Sequence, residues 1–158
     1  MGMRIGHAFD VHPFSVDPDR PMILGGVVFP GEVGLAGHSD ADAIAHACID
    51  AIVSPAGLGD IGQLFPDTDS AFAGADSMVL LAEVIRKLHE IGGTVTNIDV
   101  TVVAERPKLA PRKAEIEQRL TEAVGAPVTV KGKRAEGLGS LGRAEGIACW
   151  AVALLELP

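Results

Sequence analysis

Asp42-Ala43-Ile44-Ala45-His46-Ala47-Cys48-Ile49-Asp50-Ala51-Ile52-Val53-Ser54-Pro55-Ala56 is the stretch on which the fold turns. Ile44, Ala47, Cys48, Ala51 and Ile52 recur at spacings of three and four, the period of a helix with one apolar stripe. Ser39 or Asp40 can cap its start, and Gly57 and Gly59 end it. Upstream, Arg4 to His12 alternates loosely, as a strand does, and Met22-Ile23-Leu24 and Val27-Val28-Phe29 flank Gly25-Gly26, a two-residue hairpin signal. Downstream, Ser77 can cap a second helix whose buried face is Leu80, Leu81, Val84, Ile85 and Leu88, stopped by Gly92-Gly93. Thr94 to Ala104 is rich in β-branched residues and reads as a long strand. Pro111 opens a third helix carrying Ile116, Leu120 and Val124; Val128-Thr129-Val130 is a short strand, Leu138 to Gly146 a Gly-rich turn, and Ile147 to Leu157 a final strand. This order predicts an α+β fold, a mixed β-sheet with helices packed on one face. Residues 1–158 are expected to form one domain, with no repeat and no linker.

Composition narrows the function classes. Apolar residues make up 47% and charged residues 22%, a soluble balance, and no apolar run is long enough to span a bilayer. The start, Met1-Gly2-Met3-Arg4-Ile5-Gly6, has no signal-peptide core, so a cytoplasmic location is expected. Cys48 and Cys149 sit in apolar patterns without a close-spaced partner and read as buried hydrophobes. A formal charge of −8 argues against general nucleic-acid binding. The charge is uneven, however. Carboxylates crowd Asp10 to Asp76, while Arg106, Lys108, Arg112, Lys113, Lys131, Lys133 and Arg134 fall in the second half. That division suits either a metal-binding half with a phosphate-binding half, or two ordinary solvated surfaces.

Three residues give the first division substance. On a strand from Arg4 to His12, Asp10 and His12 are two apart and share a face. His46 lies in the first turns of the helix. One carboxylate and two imidazoles make a three-ligand site with the fourth position open, the arrangement of a catalytic zinc. Spacing alone also fits a chance Asp-x-His beside an ordinary helical histidine. Gly57 to Gly74 is rich in Gly, Pro and Asp with little periodicity, and a loop of that length reads as a functional lid.

Longer motifs carry a resemblance. Gly37-His38-Ser39-Asp40-Ala41-Asp42 leads into the helix, followed by Gly59-Asp60-Ile61-Gly62, Phe65-Pro66-Asp67-Thr68-Asp69 and Gly74-Ala75-Asp76-Ser77. Then come Arg106-Pro107-Lys108 and Gly142-Arg143-Ala144-Glu145-Gly146-Ile147-Ala148. In this order the set resembles the 2-C-methyl-D-erythritol 2,4-cyclodiphosphate synthases, from Arg4 nearly to the last residue. The resemblance implies closure of 4-diphosphocytidyl-2-C-methyl-D-erythritol 2-phosphate on itself: the 2-phosphate attacks the β-phosphorus, CMP leaves, and a cyclic diphosphate forms. It implies Zn2+ on Asp10, His12 and His46, with Mg2+ or Mn2+ between the diphosphate groups. It implies that His38 stabilises the transition state, with Ser39 beside the reacting phosphate. Asp60, Ile61 and Gly62, with Phe65, Pro66, Asp67, Thr68 and Asp69, match the loop that binds the methylerythritol portion, although Asp67 and Asp69 also suit plain turns. Ala104, Pro107, Lys108, Leu109 and Ala110 match the cytidine pocket. Lys133, Arg134, Ala135 and Glu136 match the phosphate-binding turn, where Glu136 alone reads equally as a solvated turn residue. The family assembles as a homotrimer with sites shared between subunits, and Arg143 matches a position near an axial cavity that holds an isoprenoid diphosphate in several members.

The chain departs from the family pattern in places. Arg134 stands where a threonine normally contacts the reacting phosphate, and it is assigned with His38 to the catalytic residues. A guanidinium there either donates stronger charge-assisted bonds or swings to solvent. Ala41 replaces a usual glycine, a change that matters only if the backbone there has positive φ. Ser140 stands where an aromatic residue is frequent. Two function classes therefore remain: an active zinc-dependent cyclase, or a catalytically weak trimeric binding protein for cytidylyl or isoprenoid diphosphates.

Overall fold

The computed structural model spans residues 1–158. Its elements run β1 (Gly2–Pro13), β2 (Pro21–Leu24), β3 (Val27–Val33), α1 (Ala43–Val53), α2 (Ile61–Leu64), α3 (Ser77–Glu90), β4 (Thr94–Val103), α4 (Lys113–Val124), β5 (Val128–Lys133), α5 (Gly139–Gly142) and β6 (Gly146–Leu157). The main sheet has the order β1-β6-β4-β5, and β2 and β3 form a separate hairpin. β6 is antiparallel to both β1 and β4, while β4 and β5 are parallel. β1, β4 and β5 therefore run in one direction, and their C-terminal ends lie at the same end of the mixed sheet.

The helices cover one face, as the sequence predicts. Along β1, Gly6 and Ala8 turn inward while Met3, Ile5, His7, Phe9 and Val11 point to the open side. A methyl group at Gly6 would come within 1.8 Å of the Ala51 carbonyl oxygen, so the missing side chain is what lets α1 lie on the sheet. α1 exceeds its predicted stripe: every residue except Asp50 is buried, including Ile49 and Val53. Sheet packs on one side of this helix and α3 on the other, and a helix apolar all round belongs in such an interior. One core of 37 buried residues joins sheet, hairpin and helices. No helix is long and apolar enough to cross a membrane.

The helix starts differ from the sequence reading in instructive ways. Asp42, not Ser39 or Asp40, caps α1, accepting the Ala45 N–H at 3.1 Å. The same carboxylate accepts the Gly25 N–H at 2.8 Å and the Gly26 N–H at 2.7 Å. Gly25 and Gly26 have φ of 59° and 73°, the double left-handed turn of a tight hairpin, and a methyl on Gly25 would meet Ile116 at 2.4 Å. Ala41 has φ of 57°, so the alanine does occupy a conformation that favours glycine. That left-handed residue bends the chain just before the cap. Asp76 rather than Ser77 caps α3, accepting the Met78 N–H at 2.8 Å. α4 begins at Lys113, after a turn in which the Arg112 N–H bonds the Leu109 carbonyl at 2.9 Å, rather than at Pro111. α1 ends at Val53, before Ala56, and the segments read as loop at 57–74 and as turn at 138–146 contain α2, a 3-10 turn (Ser70–Phe72) and α5.

Candidate active site

Asp10 and His12 project from the end of β1 toward the first turns of α1, where His46 meets them. One ligand atom from each of the three lies within 4.8 Å of the other two. Asp10 Oδ2 is 2.7 Å from His12 Nδ1 and 3.9 Å from His46 Nδ1. The shorter distance is within hydrogen-bond range but the alignment is not, and both Asp10 Oδ2 and His12 Nδ1 are buried without a hydrogen-bond partner. Polar atoms buried and unpartnered this way are costly unless a cation satisfies them. Two imidazoles and a carboxylate with an open fourth direction fit a divalent metal ion. Burial lowers the pKa of the His46 imidazole, which favours the neutral ligand form, although Asp10 opposes the shift.

The surroundings hold this geometry. His46 Nε2 contacts Ser77 Oγ at 2.8 Å and Ser39 Oγ at 3.1 Å. One Arg20 nitrogen donates to the Gly37 and Ser39 carbonyls at 3.1 and 2.5 Å, fixing the loop that carries His38. A cavity of about 420 Å³ opens over the triad, lined by Asp10, His12, Gly37, His38, Ser39, His46, Ile61, Gly62, Phe65, Asp67, Phe72 and Leu80. The segment read as a lid forms its outer wall. Asp50 accepts the Ile61 N–H at 2.7 Å and so ties α2 to α1; burial raises the pKa of this carboxyl. Asp60 caps α2 through the Gln63 N–H at 2.8 Å, and Asp69 caps the 3-10 turn through the Ala71 N–H at 2.9 Å. His38 Nε2 sits 3.1 Å from the Asp69 carbonyl, and Phe65 and Phe72 meet edge to face at 5.4 Å. Asp60, Pro66, Thr68 and Asp69 belong to this wall without lining the cavity.

A second cavity, of about 590 Å³, lies across the sheet at the ends of β4 and β5. Ala104, Pro107, Lys108, Leu109, Ala110, Lys133 and Arg134 line it, joined by Val102, Glu105, Lys113, Val130, Lys131 and Gly132. Its floor is apolar and its rim cationic. Lys113, Lys131 and Arg134 are paired with Glu117, Asp99 and Glu105, whereas Lys108 and Lys133 have no salt bridge. The Arg134 hydrogen bond and charge hold the Glu105 carboxyl below its usual range. Glu105 also accepts the Ala135 N–H at 2.9 Å. Ala135, Glu136 and Arg143 lie outside both cavities; Glu136 is exposed with φ of 55°, and Arg143 pairs with Glu145 at 2.6 Å. The two cavities share no lining residue. β1 and β5 are opposite edges of the sheet with two strands between, about 14 Å apart at the usual strand spacing.

Several participants escaped the sequence reading. Glu105 stands just before the Arg106-Pro107-Lys108 motif, and its signal is that of a single acid ahead of the cations that follow it. Phe72, on the segment read as a lid, and Leu80, on α3, reach the first cavity only through tertiary packing, which no local pattern reveals. Asp40 and Ser77 were read as helix caps, the usual meaning of such residues before an apolar run.

Fold and site together define an α+β protein that gathers charged side chains at the ends of three like-directed strands, three of them arranged as a divalent metal ion would need. The sequence profile of the YgbB family matches residues 3–156. A 2-C-methyl-D-erythritol 2,4-cyclodiphosphate synthase of Cronobacter sakazakii is 52% identical over 156 residues, covering 97% of each chain. The synthase of Enterococcus faecalis is 50% identical over 98% of this chain and 99% of its own. Among solved structures, a CDP-bound form of 2C-methyl-D-erythritol-2,4-cyclodiphosphate synthase superposes with a TM-score of 0.86 at 36% identity, over 97% of this chain and 100% of its own. The bifunctional IspDF of Campylobacter jejuni gives 0.93 at 40% identity over 99% of this chain; the chain spans 43% of that longer protein. The chain belongs to the YgbB family, the family of these cyclodiphosphate synthases.

Proposed function

We propose a division of labour for the synthase reaction that the family defines, cyclisation of 4-diphosphocytidyl-2-C-methyl-D-erythritol 2-phosphate with release of CMP. Asp10, His12 and His46 would hold Zn2+. The observation that carries this is the buried, unpartnered pair Asp10 Oδ2 and His12 Nδ1. A bound zinc, together with Mg2+ or Mn2+, would supply Lewis-acid polarisation and neutralisation of phosphate charge. The protein's share is positioning, which is most of what phosphoryl transfer needs. His38 and Ser39, on the loop that Arg20 holds, face the reacting phosphate and stabilise its developing charge. Asp60 to Gly62 and Phe65 to Asp69 enclose the methylerythritol portion and exclude water. The apolar floor of the second cavity takes the cytosine, with Ala104 to Ala110 reading its edge. Lys108, Lys133 and Arg134 receive the phosphates there, and Ala135 and Glu136 shape the turn that presents them.

A substrate linking cytidine to the reacting phosphate needs both cavities side by side, and one chain keeps them at opposite sheet edges. A homotrimer brings the first cavity of one chain to the second cavity of the next. Support for assembly comes from the open sheet face, where Ile5 is 73% exposed, Met3 58%, Val11 51%, Phe9 50% and Val152 44%. A contiguous apolar face of this kind marks an interface, and cyclic closure covers it on every copy. Arg143, exposed beside the start of β6, is the charge available to an isoprenoid diphosphate on the axis. The binding-only alternative is not favoured, since the triad and both cavities are intact. Incubation with the diphosphocytidyl substrate and Mg2+ tests the proposal by phosphorus NMR: CMP and the cyclic diphosphate should appear together. Substrate left unchanged by zinc-loaded protein refutes it.

A further inference from the structure

We infer that Ser77 and Asp40 are positioning residues for the metal ligand His46, acting as a hydroxyl–carboxylate relay that sets its tautomer. This rests on the metal site proposed above. The Ser77 hydroxyl donates to Asp40 Oδ1, and the Ser77 N–H donates to Asp40 Oδ2 at 3.0 Å. A carboxylate is an acceptor only, and a serine hydroxyl has a single proton. With that proton committed to Asp40, Ser77 Oγ can only accept from His46 Nε2, 2.8 Å away. The ring must then carry its hydrogen on Nε2. His46 Nδ1, which faces Asp10 Oδ2, keeps a bare lone pair for a cation.

Ser39 does not decide the matter, because its hydroxyl, 3.1 Å from His46 Nε2, can donate to or accept from the ring. The opposite tautomer would set the Nε2 lone pair against a Ser77 oxygen that has no proton left to give. Asp40 is itself fixed, taking the Asp42 N–H at 3.1 Å. Ser77 is fully buried at the start of α3, so water does not substitute for it. Metal-bound histidines commonly hand their second N–H to a carboxylate, which raises ligand basicity and fixes the ring; here a serine stands between. The relay spans the loop before α1, α1 itself and α3, so both helices must be docked before the ligand is oriented.

The first measurement uses metal-free protein labelled with nitrogen-15 in histidine, at alkaline pH. Wild-type His46 should be the Nε2–H tautomer, and Ser77→Ala should show a mixture of tautomers. Zn2+ affinity, read by competition with a chromophoric chelator, should fall roughly 10- to 100-fold in Ser77→Ala. Ser77→Thr, which keeps the hydroxyl, should recover affinity and tautomer together. A merely structural role would lower thermal stability and leave the tautomer unchanged. The inference is overturned if wild-type His46 carries its proton on Nδ1, or if Ser77→Ala binds Zn2+ as wild type does. Should Ser77→Ala fail to fold, the wild-type tautomer alone still decides. A wild-type protein that binds no Zn2+ would sink the metal proposal and leave the tautomer result standing.

Discussion

Arg134 lies against Glu105, its Nε and Nη2 donating to one carboxylate oxygen at 3.0 and 2.8 Å. The Glu105 side chain is 12% exposed and that of Arg134 70%, so the carboxylate is the anchor. Of the guanidinium nitrogens, Nη1 is left to meet a phosphate. Arg134→Thr removes that charge and leaves a hydroxyl. Solvent screens an exposed charge of this kind, so KM should rise only a few-fold. Binding ground state and transition state equally does not raise turnover, and kcat should be similar or higher. Steady-state kinetics on both proteins separates the outcomes. Collapse of kcat at saturating substrate would make Arg134 a transition-state stabiliser; an inert wild type revived by threonine would make the protein a binder.

His46→Ala leaves Asp10 and His12 facing an incomplete site. Zinc content, measured by elemental analysis after dialysis, should fall together with cyclisation. A zinc-free variant that retains full activity would refute a catalytic metal.

Asp42 predicts a pH dependence of stability. Burial pushes its carboxyl up to about 6 from 3.8, against three backbone N–H groups that pull it down. Between those values the folded state holds a proton that the unfolded state has released. The contribution is complete below the unfolded value, shrinks as pH rises, and is gone above about 6. The total is about 3 kcal/mol, lost between about pH 4 and pH 7. Denaturant melts of wild type and Asp42→Asn across that range should show their difference moving by this amount, wild type losing ground as pH rises. A pH-independent difference would mean that Asp42 is an ordinary carboxyl.

Gly6→Ala drives a methyl group into the Ala51 carbonyl. Relief requires β1 and α1 to separate, which should destabilise the fold by about 3 kcal/mol or more and displace Asp10 and His12 from His46. Thermal melts and zinc titration should report both losses. Stability and zinc affinity equal to wild type would contradict the close approach.

The proposed sharing of sites between chains predicts complementation. His46→Ala lacks a metal ligand and Lys108→Ala lacks a pocket cation, so each should be inactive alone. Equal mixing after dissociation should restore about a quarter of wild-type activity, the fraction of interfaces that draw both intact halves. No recovery in verified mixed trimers would place the complete site within one chain.

Legibility followed range. The helix at Asp42, the hairpin at Gly25-Gly26 and the strand at Thr94 were readable because period and turn chemistry act over a few residues. Asp10, His12 and His46 could be nominated by residue type, but only the docking of α1 on β1 makes their ligand atoms converge. The caps were misplaced because Ser39, Asp40 and Asp42 have similar capping chemistry, and the choice fell to the left-handed backbone at Ala41. Glu105 and Ser77 were missed as site residues since their meaning comes from Arg134 and His46, each about 30 residues away in the chain. The open sheet face was equally silent: Ile5, Phe9 and Val152 read as any strand residues until the sheet shows that nothing covers them.

The carboxylate of Asp42, shared among Gly25, Gly26 and Ala45, makes two distant pieces of chain a single cooperative unit. The amides of the hairpin turn and of the first helical turn lose their common acceptor in the same opening event. They should therefore exchange with deuterium at matched rates, although about 20 residues separate them. Because His46 is the residue after Ala45, local fraying at the hairpin reaches the proposed metal ligand directly. A loosened turn on the far side of the helix would be felt at the active site as a faster metal off-rate.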